Sequence, residues 1–156
     1  MKAGILTDSH DHCSRVSKAA QILREQKVAY VLHAGDIVSP QTAKVLADID
    51  GAKFIGVFGN CDREKALLKS CINELGGEIY ERVFTGQVAG RRTFLTHKPD
   101  ELESIVDTGN FDLVIYGHTH KKLMHKIGET LVINPGPSSV VILELDDMST
   151  VEMQLE

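Results

Sequence analysis

The chain has 156 residues, enough for one domain with a single sizeable core, and its 42% hydrophobic content excludes a disordered segment. Its 22 acidic residues outnumber 17 basic ones, leaving a formal net charge of −5. Such a surface has no bulk attraction for nucleic acid or anionic lipid, so a phosphate-bearing ligand must be drawn in locally.

Lys2 to Thr7 is a short apolar run that predicts a buried first strand. Ser14 is placed to cap a helix reaching Gln26, with Val16, Ala19, Ala20, Ile22 and Leu23 on its apolar face. Tyr30 to Ala34 is the next strand, followed by Gly35-Asp36. Ser39-Pro40 reads as an N-cap with proline in the first helical position, for a helix reaching about Asp48. Lys53 to Phe58 is a third strand, closed by Gly59-Asn60, and Asp62 is the expected cap of a helix stopped by Gly76. This alternation implies parallel strands joined by helical crossovers.

The second half changes character. Glu78 to Val88 and Arg91 to Thr96 read as two strands joined around Ala89-Gly90, before a short helix near Asp100 to Val106. Strands at Leu113 to Tyr116, Lys121 to Ile127, Leu131 to Asn134, Val140 to Leu145 and Val151 to Gln154 follow, with short turns that suggest antiparallel pairing. The expected architecture is an α/β domain over residues 1–156, with two mixed sheets face to face and helices outside.

The apolar run at the N-terminus is too short for a secretory signal, and no stretch approaches the ~18 residues of a membrane span. Cys13, Cys61 and Cys71 are odd in number and form no CxxC pair, which argues against a disulfide framework and a zinc knuckle. The expectation is a cytoplasmic protein with no membrane partner.

Strand after strand ends in a metal-ligating residue type: Asp8-Ser9-His10, Gly35-Asp36, Gly59-Asn60, His97 and Gly117-His118-Thr119-His120. Ligand sites form beyond the carboxyl ends of parallel strands, so these ends can converge on one crevice. The glycines before Asp36, Asn60 and His118 suit sharp exits that turn a side chain inward. Asp8 and His10 are two apart, as are His118 and His120, a spacing that in extended backbone puts both side chains on one side. So many ligands exceed one tetrahedral ion and suit two ions about 3.5–4 Å apart, sharing a carboxylate and a hydroxide. Mixed imidazole and oxygen donors favour divalent transition metals, with Mn²⁺, Fe²⁺, Zn²⁺, Co²⁺ and Ni²⁺ all compatible. Asp8 and Asp36 cancel only part of the charge of two such ions, leaving a positive pocket for phosphate.

In this order of blocks the chain resembles the calcineurin-like metallophosphoesterase superfamily, over residues 8 to 120. The Gly59-Asn60-Cys61-Asp62 run and the Asn134-Pro135-Gly136 turn are similar to its small bacterial and archaeal phosphodiesterase branch. The resemblance implies a four-layer α/β/β/α sandwich. It also implies that Asp8, His10, Asp36 and His120 hold one ion, that Asp36, Asn60, His97 and His118 hold the other, and that Asp36 bridges. Asp36, Asn60 and His97 thereby become candidate catalytic residues. Three positions depart from the pattern: Cys61 stands where many relatives have a leaving-group histidine, Lys98-Pro99 where they have Gly-His, and Ser39 where they have aspartate.

Among the remaining histidines, His12 is a candidate to touch substrate or supply a proton, with a polar loop residue as the alternative. His33 reads as a support for the ligand residues or as packing, and His125 as structural or exposed. The reading is a metal-dependent phosphodiesterase acting on small phosphoesters, cyclic nucleotides among them, and it is compatible with a homo-oligomer. A thiol at position 61 is a weak acid, so aryl diesters with good leaving groups are the expected best substrates. The rival is a scaffold on the same fold, as in the retromer scaffold subunit, but a scaffold has no chemical reason to keep two histidine-rich half-sites.

Overall fold

The computed structural model describes residues 1–156. Its elements are β1 (Lys2–Leu6), α1 (Cys13–Glu25), β2 (Tyr30–His33), α2 (Pro40–Ala47), β3 (Lys53–Val57), α3 (Lys65–Glu74), β4 (Glu78–Tyr80), β5 (Val83–Val88), β6 (Arg91–Thr96), α4 (Leu102–Asp107), β7 (Leu113–Ile115), β8 (Leu123–Ile127), β9 (Thr130–Asn134), β10 (Ser139–Glu144) and β11 (Thr150–Gln154). A six-stranded sheet runs β11-β10-β1-β2-β3-β4 and a five-stranded sheet runs β5-β6-β7-β9-β8.

Alternation along the strands sorts the core into three layers. From β1, Ala3 and Ile5 face the second sheet and pack with Ile55, Leu95, Ile115 and Ile133. Leu6 faces the other way, into a layer shared with Val16, Leu23, Leu46, Leu68 and Ile72 of α1, α2 and α3. Phe94, Val114 and Val132 of the second sheet pack with Val106 of α4 on the far side. Helices therefore cover both outer faces, as expected. Gly4 has a packing reason: a Cβ there would collide with Leu23 of α1.

The pairing departs from the sequence expectation in two ways. Strands of the second half are not uniformly antiparallel, since β6, β7 and β9 run parallel to one another while β5 and β8 flank them antiparallel. The segment Glu78 to Val88 is also not one strand. It breaks at Glu81-Arg82, where β4 leaves its parallel partner β3 and the chain crosses to pair β5 with β6. As a result the carboxyl ends of β1, β2 and β3 in one sheet and of β6, β7 and β9 in the other open on the same edge of the sandwich.

Two expected caps are also displaced. Ser39 caps α2, accepting the Thr42 amide at 3.2 Å, with Pro40 first in the helix. Ser14 does not cap α1: the Val16 amide already donates to the His12 carbonyl, so helical bonding begins before Ser14. Asp62 does not cap α3, because its carboxylate is engaged with the β2 and β3 exits.

Candidate metal centre

The centre is built on exits the backbone makes in an unusual conformation. Asp8, His10, Asp36, His118 and His120 all have positive φ, between 45° and 69°. Asp and His enter this left-handed region more readily than most residues, at a cost of about 1–3 kcal/mol each. The Asp8-Ser9-His10 and His118-Thr119-His120 pairs therefore share a side through tight turns, and not through the extended backbone that their spacing suggested.

The preceding glycines serve close approach. Only Gly35 has a positive φ, of 102°. A Cβ on Gly59 would collide with the Asp36 carboxylate, and one on Gly117 would collide with Thr7 Oγ1 and lie 2.8 Å from Asp8 Oδ2. Gly59 lets two neighbouring exits of the first sheet close on each other, and Gly117 lets the β7 exit of the second sheet close on the β1 exit of the first.

All seven candidate ligands come together. Asp8 Oδ1 lies 3.2 Å from His120 Nε2, while Asp8 Oδ2 accepts from Thr7 Oγ1 at 2.7 Å and from the His118 amide at 3.1 Å. Asp36 Oδ2 is 3.3 Å from His97 Nε2 and 3.7 Å from His10 Nε2, so it stands between the two groups. Asn60 Oδ1 lies 2.9 Å from His97 Nε2 and 3.1 Å from His118 Nδ1. The carboxylates and His97 are buried, whereas Asn60, His118 and His120 form an exposed rim. His12 is exposed, as the residue that precedes the first turn of α1.

The donor set fits a cation. His97 Nδ1 lies 2.7 Å from the Ala34 carbonyl and must donate to it, which leaves Nε2 facing only Asp36 Oδ2 and Asn60 Oδ1. Three electron-pair donors converging on one point need a proton or a metal ion among them. Burial lowers the His97 pKa, but Asp36 and the Ala34 carbonyl outweigh it and the net shift is upward. Burial would raise Asp36, yet hydrogen bonds from His97 and the Cys61 amide hold it well below the usual carboxylate range. His10 Nε2 is buried with no hydrogen-bond partner, a second atom left for an ion. Three clusters have the mutual spacing of a metal site: Asp8-His10-His120, Asp8-Asp36-His97 and His10-Asp36-Cys61.

Sequence reasoning missed several supports. Asp62, taken for a helix cap, is buried and accepts the amides of Asp36 at 2.9 Å, Gly59 at 2.8 Å and Val38 at 2.7 Å. Asn134 Nδ2 donates to Thr119 Oγ1 at 3.0 Å, bracing the loop that carries His118 and His120; the Asn-Pro-Gly turn was its only signal. His33 is fully buried, and burial, then repulsion from His97, pushes its pKa down to about 3. His125 is exposed on β8, and the Lys122 ammonium is paired with Glu152, away from the centre. Burial and the Asp36 carboxylate push the Cys61 thiol up, which makes it a still weaker acid. Beside Asn60 and His97 opens a cleft of about 580 Å³, with Phe58, Arg82, Phe94 and Lys98 on its walls.

The calcineurin-like phosphoesterase superfamily domain matches residues 1–148. This chain belongs to that superfamily. It is 35% identical to phosphodiesterase MJ0936 of Methanocaldococcus jannaschii over 139 residues, which are 87% of this chain and 83% of that relative. Phosphodiesterase YfcE of Escherichia coli is 25% identical over 158 residues, covering 90% of this chain and 80% of the relative. A solved structure described as a novel archaeal phosphodiesterase superposes with a TM-score of 0.92 at 31% identity, covering 99% of both chains. Vps29 of Entamoeba histolytica, solved with Zn²⁺, has a TM-score of 0.71 at 17% identity over 100% of both chains, a likeness of fold alone. The superfamily is metal-dependent and the sequence relatives are phosphodiesterases. No helix is long and apolar enough to cross a membrane.

Proposed function

We propose that residues 1–156 form one metallophosphoesterase domain, cytoplasmic, that hydrolyses small phosphodiesters, cyclic nucleotides among them. Asp8, His10, Asp36 and His120 hold one divalent transition-metal ion, and Asp36, Asn60, His97 and His118 hold the other, with Mn²⁺ or Ni²⁺ the leading candidates. The observation that carries the reading is Asp36 Oδ2 standing between His10 and His97, each at the head of a separate donor group. Ions held by these residues would provide hydroxide from bound water and neutralisation of the phosphoryl oxygens.

The residues define the rest. The exposed imidazoles of His118 and His120 and the Asn60 amide line the side from which a phosphate enters. The Cys61 amide and the Thr7 hydroxyl hold the Asp36 and Asp8 carboxylates, and Asp62 holds the Asp36 backbone, so little reorganisation is required as charge develops on phosphorus. The cleft beside Asn60 and His97 has room for the leaving portion. With Cys61 in place of a strong acid, leaving groups that depart without a proton are favoured.

The test is hydrolysis of bis(p-nitrophenyl) phosphate by metal-stripped protein with Mn²⁺ or Ni²⁺ restored. Turnover should return with the metal and fall at least about 100-fold in Asp36→Asn. Equal turnover in Asp36→Asn removes the bridging role. Failure to retain any metal favours the scaffold reading instead.

A further inference from the structure

The Asn60-Cys61 step divides the centre. Asn60 Oδ1 turns to His97 and His118. The next side chain turns the other way: Cys61 Sγ, a His10 ring nitrogen and an Asp36 carboxylate oxygen all lie within 4.8 Å of one another. The Cys61 amide donates to Asp36 Oδ1 at 2.8 Å, which pins the residue against that carboxylate. His10 Nε2 is buried without a partner on the same side, 3.7 Å from Asp36 Oδ2 and too far for a hydrogen bond. Asn60 Nδ2 donates toward Cys61 Sγ at 3.5 Å, so the amide orients the sulfur as an acceptor while its oxygen serves the other half of the site.

We infer that Cys61 is a sulfur ligand to the ion held by His10 and Asp36. This rests on the dinuclear reading above and deepens it. The position that lacks an imidazole acid gains a soft donor, which makes the two half-sites chemically unequal. Imidazole, carboxylate and thiolate together favour thiophilic ions such as Zn²⁺, Co²⁺ and Cd²⁺ over Mn²⁺, whereas the Asn60-His97-His118 side keeps only nitrogen and oxygen donors. On binding, the ion takes the place of the thiol proton, which passes to solvent. Neither other cysteine can substitute, since Cys13 is exposed with its thiol on the Asp11 carbonyl and Cys71 is buried in α3.

The experiment loads the metal-stripped protein with Co²⁺, counts bound cobalt by mass spectrometry and records the absorption spectrum. Wild type should bind two ions per chain and show a near-ultraviolet sulfur-to-cobalt charge-transfer band beside the visible bands. Cys61→Ser should keep the visible bands and lose the near-ultraviolet one, and Cys13→Ser should keep both. In competition against Mn²⁺, wild type should retain Zn²⁺ about tenfold better than Cys61→Ser. X-ray absorption of the Zn²⁺-loaded wild type should show a sulfur scatterer without recourse to any variant. Two bound cobalt ions with no charge-transfer band overturn the sulfur ligand and leave the phosphodiesterase reading intact. Protein that binds no cobalt overturns the dinuclear reading and this inference with it.

Discussion

The Asp62 carboxylate accepts the Asp36 backbone amide at 2.9 Å, so the residue placed between the two donor groups is held by a side chain 26 positions downstream. The same carboxylate holds Val38, a β-branched residue at φ 75°, a conformation that needs such external support. Replacing it as Asp62→Asn puts an amide N–H against backbone donors. The expected cost is about 1–3 kcal/mol in urea unfolding, and Mn²⁺ affinity by calorimetry should fall about 10- to 100-fold.

His33 ties the first two exits together. Its Nδ1 accepts the Gly35 amide at 3.1 Å, so Nε2 must carry the hydrogen and donate to Ser9 Oγ at 2.9 Å. Its depressed pKa means that the unfolded chain takes up a proton first as pH falls. Stability from this residue is complete above the ordinary value of 6.5 and is lost as pH falls toward about 3. His97, whose pKa is raised, acts in the opposite sense: its contribution is full below 6.5 and is lost as pH rises. In the metal-free protein, urea midpoints between pH 7 and 4 should fall less in His33→Gln than in wild type, which removes the first effect and keeps the second.

Gly117 should tolerate no side chain while Thr7 is present. Gly117→Ala is expected to cost about 1–3 kcal/mol through overpacking and to weaken metal retention. Thr7→Ala in the same chain removes the colliding hydroxyl and should recover part of both losses, as read by thermal unfolding and metal content.

Cys61→His should move substrate preference. An imidazole in that position can protonate a departing alkoxide, a contribution of about 10²-fold or more where the leaving group is poor. The ratio of kcat/KM for an alkyl diester to that for bis(p-nitrophenyl) phosphate should rise, with a new pH limb on the alkyl substrate. An unchanged ratio would show that position 61 does not face the leaving group.

The order of the ligand blocks and the two-sheet architecture were legible in the sequence because each strand is a short apolar run closed by a ligand residue. Sheet membership was not. Glu78 to Val88 has strand character throughout, and only tertiary pairing shows that β4 and β5 belong to different sheets. Asp62 looked like a helix cap because a carboxylate before a helix reads the same whether its partners are its own first turn or two distant loops. The glycines suit sharp turns, but Gly59 and Gly117 have no positive φ; the reason for them lies on other strand exits, at Asp36 on the neighbouring strand and at Thr7 in the opposite sheet.

The left-handed backbone at Asp8, His10, Asp36, His118 and His120 restricts how this centre can be re-engineered. Residues that enter that conformation at modest cost overlap with short donors such as Asp, Asn and His. Longer or branched donors are disfavoured there by conformation before any coordination chemistry is considered. Asn60 and His97 are absent from that set and stand on ordinary backbone. An attempt to retune metal preference by exchanging ligands has the most freedom at those two positions, both of which belong to the same half of the proposed site.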